Sequence, residues 1–215
     1  MNRGPYLFLG AFVILAFSWT AAILANQLGY GAVTPHYDDL AGQSFPAKQP
    51  GVVARGAKVY TDLGCVTCHT QQVRRADLAS DLERGWGLRA SVGRDYIQET
   101  IVQLGSNHIG PDLRNVGARY ENSDAFYEML YSPAENSAMP AYRFLFEETE
   151  IDGQASDDAI RVDVAAGSQV VPTERARSLV AYLAYRNDTY AYPETKYIPP
   201  EPEAEDAADV EEEGH

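Results

Sequence analysis

Gly64-Cys65-Val66-Thr67-Cys68-His69 is the stretch on which the reading of this chain turns. Two thiols three positions apart on one turn can each form a thioether with one side of a porphyrin, and the next residue offers its imidazole to the iron. Cys-x-x-Cys-His is therefore the attachment pattern of a c-type haem, with His69 as proximal ligand. Competing readings fail on spacing. A two-cysteine redox motif follows a strand and opens a helix, whereas a helix-like segment, residues 52–63, precedes this one. A structural zinc site needs four ligands, yet both cysteines of the chain lie in this run, and His36, His108 and His215 show no zinc-type spacing. A disulfide across the two-residue gap would leave His69 without a role. One covalently bound haem c is the expectation.

Such an iron has a sixth position, and its occupant decides between electron transfer and ligand chemistry. Met139 is the candidate: it lies in a loop of small residues and is followed by Pro140, which stiffens the chain around a thioether. Met129 falls on the inner face of an expected helix, where packing is its role. His108, in a loop, is the alternative ligand. A Met/His pair leaves no open position and raises the potential, which describes an electron carrier. Pro111 is expected to accept the ring N–H of His69 on its carbonyl and so fix the imidazole. Arg74 and Arg119 are candidates to neutralise the haem propionates, although each also reads as an ordinary surface arginine.

Haem attachment of this kind occurs outside the bacterial inner membrane, so the chain needs an export signal. No charged residue stands between Arg3 and Asp38, and residues 6–28 are predominantly apolar. As a helix that run is about 34 Å long, enough for a hydrocarbon core of roughly 30 Å. A cleaved signal peptide has a shorter apolar region and a small-x-small site, which Asn26 interrupts here, so an uncleaved anchor is expected. Arg3 and the amino group place the N-terminus in the cytoplasm and the rest in the periplasm.

The 215 residues carry a formal net charge of −14, which argues against a nucleic-acid partner. Nine acids and one Lys between Glu194 and His215 supply −8 of it, leaving −6 for the body. The chain divides into an anchor (residues 1–30), a Gly- and Pro-rich connector (31–51), a mainly α-helical domain (52–188) and a Pro- and Glu-rich tail (189–215) expected to be disordered. Within the domain, helices are expected over residues 52–63, with Gly56 on the inner face admitting a crossing helix. Others are expected over residues 96–104, opened by Asp95 and Gln98 as a capping box, over 123–131, and from Thr173 as N-cap to Arg186. Residues 147–163 are acidic and poorly periodic, which reads as a surface excursion.

Three ordered motifs carry a family resemblance: Gly-Cys-Val-x-Cys-His-Thr-Gln-x-Val-Arg (residues 64–74), Gly-Pro-Asp-Leu-x-x-Val-Gly-x-Arg-Tyr (110–120) and Ser-x-Met-Pro-Ala-Tyr (137–142). The chain resembles the membrane-anchored mono-haem cytochrome c subunit of cbb₃-type cytochrome c oxidases. The resemblance covers residues 1–145 and the final helix. It implies one transmembrane helix followed by a class I cytochrome c domain with irregular insertions. It also implies His69 and Met139 as axial ligands and Cys65 and Cys68 as attachment points. The implied role is electron-transfer subunit of a terminal oxidase, non-catalytic itself, passing electrons from a c-type cytochrome donor to haem b of an integral-membrane catalytic subunit. The family usually carries basic residues just before Gly-Pro-Asp-Leu, where this chain has Asn107-His108-Ile109. Two other functions fit the same layout: the haem c subunit of a nitric oxide reductase, and a free-standing anchored shuttle on a flexible connector. A haem-based gas sensor would require Met139 to leave the iron.

Overall fold

The computed structural model describes residues 3–120 and 122–195. Helix α1 runs from Gly4 to Gly31, longer at both ends than the apolar core expected, and passes through one wider π turn at Thr20–Leu24. It is long and apolar enough to cross a membrane, and none of its apolar window is buried among the described residues. Pro5 sits in its first turn, where a missing N–H costs nothing.

The connector has more structure than its Gly and Pro content implies. Strands β1 (His36–Asp38) and β2 (Gln43–Phe45) pair antiparallel as a small hairpin, and Asp38 holds the turn by accepting from the N–H groups of Leu40 and Ala41. Its side chain then lies against the C-terminal end of the domain, where Phe45 stacks on Tyr190 with ring centroids 3.9 Å apart.

The domain is organised by two helices, α2 (Gly51–Asp62) and a last helix at Glu174–Tyr185. They cross at Gly56, where a Cβ would stand 1.9 Å from the carbonyl oxygen of Ser178. Only glycine permits that approach, so the crossing read from the sequence is present and tight. Val53, Val59 and Tyr60 from α2 meet Ala176, Leu179, Val180, Tyr182 and Leu183 in the core, each large side chain stabilising the fold by roughly 1.5–3 kcal/mol through burial. Thr173 caps the last helix as expected: its hydroxyl accepts from the Ala176 N–H and donates to the Leu145 carbonyl at 2.7 Å.

Between these two helices lie α3 (Val116–Arg119), α4 (Asp124–Tyr131) and a second hairpin, which makes the last helix α5. Helix α4 buries Phe126, Leu130 and Tyr131, while Met129 is only half-buried. The second hairpin pairs β3 (Phe146–Glu150) with β4 (Ser168–Pro172), from Phe146 opposite Pro172 to Glu150 opposite Ser168. Residues 147–159 lie on the surface as expected, but their start is ordered as a strand: after Phe146, which reaches the core with Val170, every residue of β3 is exposed.

Two further expectations fail for a common reason, buried charge. No helix forms over residues 96–104; one short 3₁₀ turn, Gly93–Tyr96, stands there. Asp95 is not an N-cap opening a helix. It is buried, accepts from the Val92 N–H and takes a two-pronged ion pair from Arg89 at 2.7 and 2.9 Å. Glu99 is drawn inward between Arg114 and Arg186, at 2.5 Å from each, and Gln103 gives its carbonyl to the Gln71 N–H. A helix would forfeit all three. The domain also extends past residue 188: Tyr192 is buried and Glu194 pairs with Arg94. The tail reading from residue 196 onward, including His215, lies outside the described residues.

Candidate functional site

Helix α2 ends at Asp62 and the chain turns at Gly64 into a single 3₁₀ turn, Cys65–Thr67. The N–H groups of Cys68 and His69 both donate to the Cys65 carbonyl, at 3.2 and 2.9 Å, so both thiols and the imidazole hang from one tight turn. Neither cysteine is in a disulfide. From behind, the Tyr60 hydroxyl of α2 donates to the His69 carbonyl at 3.0 Å, tying the motif to the core.

The Gly-Pro-Asp-Leu turn lies alongside. Gly110 N–H donates to Cys68 and Leu113 N–H to Thr70, both at 2.9 Å. Asp112 is buried, and its carboxylate accepts from the N–H groups of Gln72 and Arg114 at 2.7 and 2.8 Å; burial pushes its pKa up against those donors. The Pro111 carbonyl lies 2.9 Å from Nδ1 of His69, the contact expected of it. A carbonyl can only accept, so the proton is on Nδ1 and Nε2 keeps its lone pair for a metal. A Cβ on Gly110 would stand 2.2 Å from Cε1 of His69, which reserves that position for glycine.

Met139 follows Ser137, whose hydroxyl accepts the Met139 N–H at 3.1 Å, and it is half-buried against the same core cluster as Cys65, Val66 and Leu113. Three residues on, Tyr142 donates its N–H to Leu130 at 2.7 Å and its hydroxyl meets the Cys65 sulfur. Burial, opposed by that hydroxyl, pushes the Cys65 thiol up to about 11; burial and then the neighbouring thiol push Tyr142 up to about 12. The Met139 loop is thus fastened beside the cysteine turn. His108, the alternative ligand, is exposed.

The two candidate arginines separate clearly. Arg74 is committed to Asp81 through Nε and Nη2 at 2.9 and 2.7 Å, an interaction that outweighs burial in holding the Asp81 carboxyl below its usual range. Arg119 gives Nη2 to the Asp112 carbonyl at 2.5 Å, and its Nε is buried without a partner. Burial lowers its pKa, with only weaker opposition from Tyr120 and Asp112. A half-buried guanidinium next to Pro111-Asp112, without a carboxylate ion pair among the described residues, suits an anionic group brought by a ligand.

A haem c fits this set of residues: two free thiols on one turn, an imidazole with Nε2 available, a Met loop fastened beside them, and a half-buried arginine whose Nε is buried without a partner. The family model described as cytochrome c oxidase, mono-haem subunit/FixO matches residues 49–191. The chain belongs to this family. It is a mono-haem subunit of the cytochrome c oxidase type, its cofactor is haem, and FixO membership implies association with an oxidase complex. A comparison with curated proteins finds no match.

Sequence reasoning missed three residues of the site. Tyr60 reads as an inner-face aromatic, and only the fold shows its hydroxyl on His69. Gln71 is fully buried, with its side-chain oxygen accepting from Tyr182 at 2.9 Å and its carbonyl accepting from Tyr96 at 3.0 Å. Tyr142 was visible only as part of the Met139 motif. For Gln71 the available signal was a polar side chain inside the motif run; nothing in the sequence signalled the role of Tyr60.

Proposed function

We propose that this chain is the membrane-anchored electron-transfer subunit of a cbb₃-type oxidase, passing electrons from a c-type donor to haem b of the catalytic subunit. Cys65 and Cys68 form the thioethers, His69 and Met139 are the axial ligands, and the haem-bearing domain lies in the periplasm with the N-terminus in the cytoplasm. The bound haem supplies reversible one-electron chemistry at iron. The chain's own residues do the rest. Pro111 holds the His69 ring in the tautomer that leaves Nε2 free, Tyr60 and Gly110 fix its backbone and its flank, and the Met139 loop, held by Ser137 and Tyr142, would supply the second ligand. Arg119 takes a propionate in place of Arg74, whose charge Asp81 already answers.

A Met/His pair leaves O₂ no place to bind, so reduction of O₂ belongs to the partner subunit. The observation that carries the reading is the contact between His69 Nδ1 and the Pro111 carbonyl on a Cys-x-x-Cys-His turn, within a stretch that the FixO family matches. The Gln71-x-Val73-Arg74 segment favours the oxidase over nitric oxide reductase. Gentle purification with whatever travels with the chain, then parallel assays of O₂ and NO consumption, tests this. The proposal expects haem b, a many-helix subunit and O₂ consumption; NO consumption alone would overturn the cbb₃ assignment.

A further inference from the structure

Between the end of α1 at Gly31 and the first strand at His36 the chain has only four residues, and those are gripped. Val33 N–H donates to the Tyr30 carbonyl, Arg94 Nη1 donates to the Thr34 carbonyl, and a Cβ on Gly93 would lie 3.5 Å from the Tyr30 ring. The hairpin that follows is held by residues 185–190. Tyr190 stacks on Phe45 with an interplanar angle of 7° and donates its hydroxyl to Asp38 at 2.8 Å, and Tyr185 donates to the Ala47 carbonyl at 3.1 Å.

This C-terminal segment is itself fixed to the domain. Arg89 donates to the Tyr190 carbonyl at 2.6 Å and lies over the Tyr192 ring while holding Asp95. Arg94 closes the circuit, with Nε on Glu194 at 2.5 Å and its guanidinium over the same Tyr192 ring. One arginine thereby binds the exit of α1 and the segment around Glu194, from its own place in the loop that opens at Gly93.

We infer that Arg94 and Tyr190 form a buckle that holds the haem domain in one fixed attitude on its membrane anchor. They are positioning residues for electron transfer: the site delivers from a set place, with no swinging tether. The inference rests on the reading of α1 as an anchor.

The test uses the full chain in lipid nanodiscs, with spin-label amino acids replacing the exposed Leu28 on α1 and Leu78 on the domain. The distance distribution between them is measured by pulsed electron resonance. The wild-type background is expected to give one narrow distribution. The Arg94→Ala/Tyr190→Ala pair is expected to broaden it to the spread that a free connector of about 20 residues, roughly 25 Å r.m.s. end to end, allows the domain. Tyr190→Ala alone is expected to broaden it partway, and Tyr190→Phe, which keeps the ring on Phe45, to leave it narrow. Haem absorbance of the same samples shows that the domain is intact and reports the haem reading separately, while recovery in the nanodisc fraction reports the anchor. A wild-type distribution already as wide as a free connector overturns the inference, and so does a double variant that stays narrow with its absorbance unchanged.

Discussion

Where α2 crosses α5, the domain is held by apolar packing at backbone distance; where residues 89–114 meet residues 186–195, it is held by buried charge. At the crossing, Gly56 meets the Ser178 carbonyl amid Val53, Tyr60, Leu179 and Tyr182. On the other side Arg114, itself buried, pairs with Glu99 and Asp188 and lies over the Tyr96 ring, while Arg186 takes the same Glu99 oxygen. Burial pushes the Asp188 carboxyl above its usual range despite Arg114. Packing tolerates loss in proportion to what is removed. A buried charge network instead fails when one member leaves, because its partner stays buried without compensation.

Arg114→Met breaks the contrast hardest. It strands Asp188, leaves Glu99 with Arg186 alone, and should cost about 3–5 kcal/mol in denaturant unfolding of the haem-loaded protein. Adding Asp188→Leu, which removes the stranded acid while Glu99 stays paired with Arg186, should recover part of that loss. A double variant no better than the single one would mean that the network is not what holds this side. Gly56→Ala probes the other side and should cost about 1–3 kcal/mol, since overpacking against a backbone carbonyl forces the helices apart. Its effect should be insensitive to salt and pH.

The smallest change is Asp81→Asn, costing on the order of 1 kcal/mol at neutral pH. Because Arg74 holds the Asp81 carboxyl below its ordinary value, the wild type has this stability above the carboxylate range and loses it as pH falls through the lowered value. Stability curves of the two proteins should therefore converge in acid; parallel curves would remove Arg74 as the cause.

The same division governs what could be read from the sequence. The packing side was legible, because the inner face of residues 52–63, the glycine on it and the Thr173 cap are local, periodic signals. So was the order of the haem motifs, whose spacing carries the chemistry. The charge side was not: Asp95 and Glu99 look like a capping residue and a helix-surface acid until Arg89, Arg114 and Arg186 arrive from distant parts of the chain. Hairpin β3–β4 hid because β3 has no period of two: after Phe146 both of its faces are exposed. The connector hid because Phe45 and His36 find their partners in Tyr190 and Tyr192, some 150 residues later, in a stretch whose composition resembles a tail.

The central proposal is that His69 and Met139 hold a single haem for electron transfer. The most direct test is the near-infrared sulfur-to-iron band of the oxidised protein, recorded with its midpoint potential for the wild type and Met139→His. The account predicts the band in the wild type, its loss in the variant and a marked fall in potential. A band that survives Met139→His unchanged would contradict it.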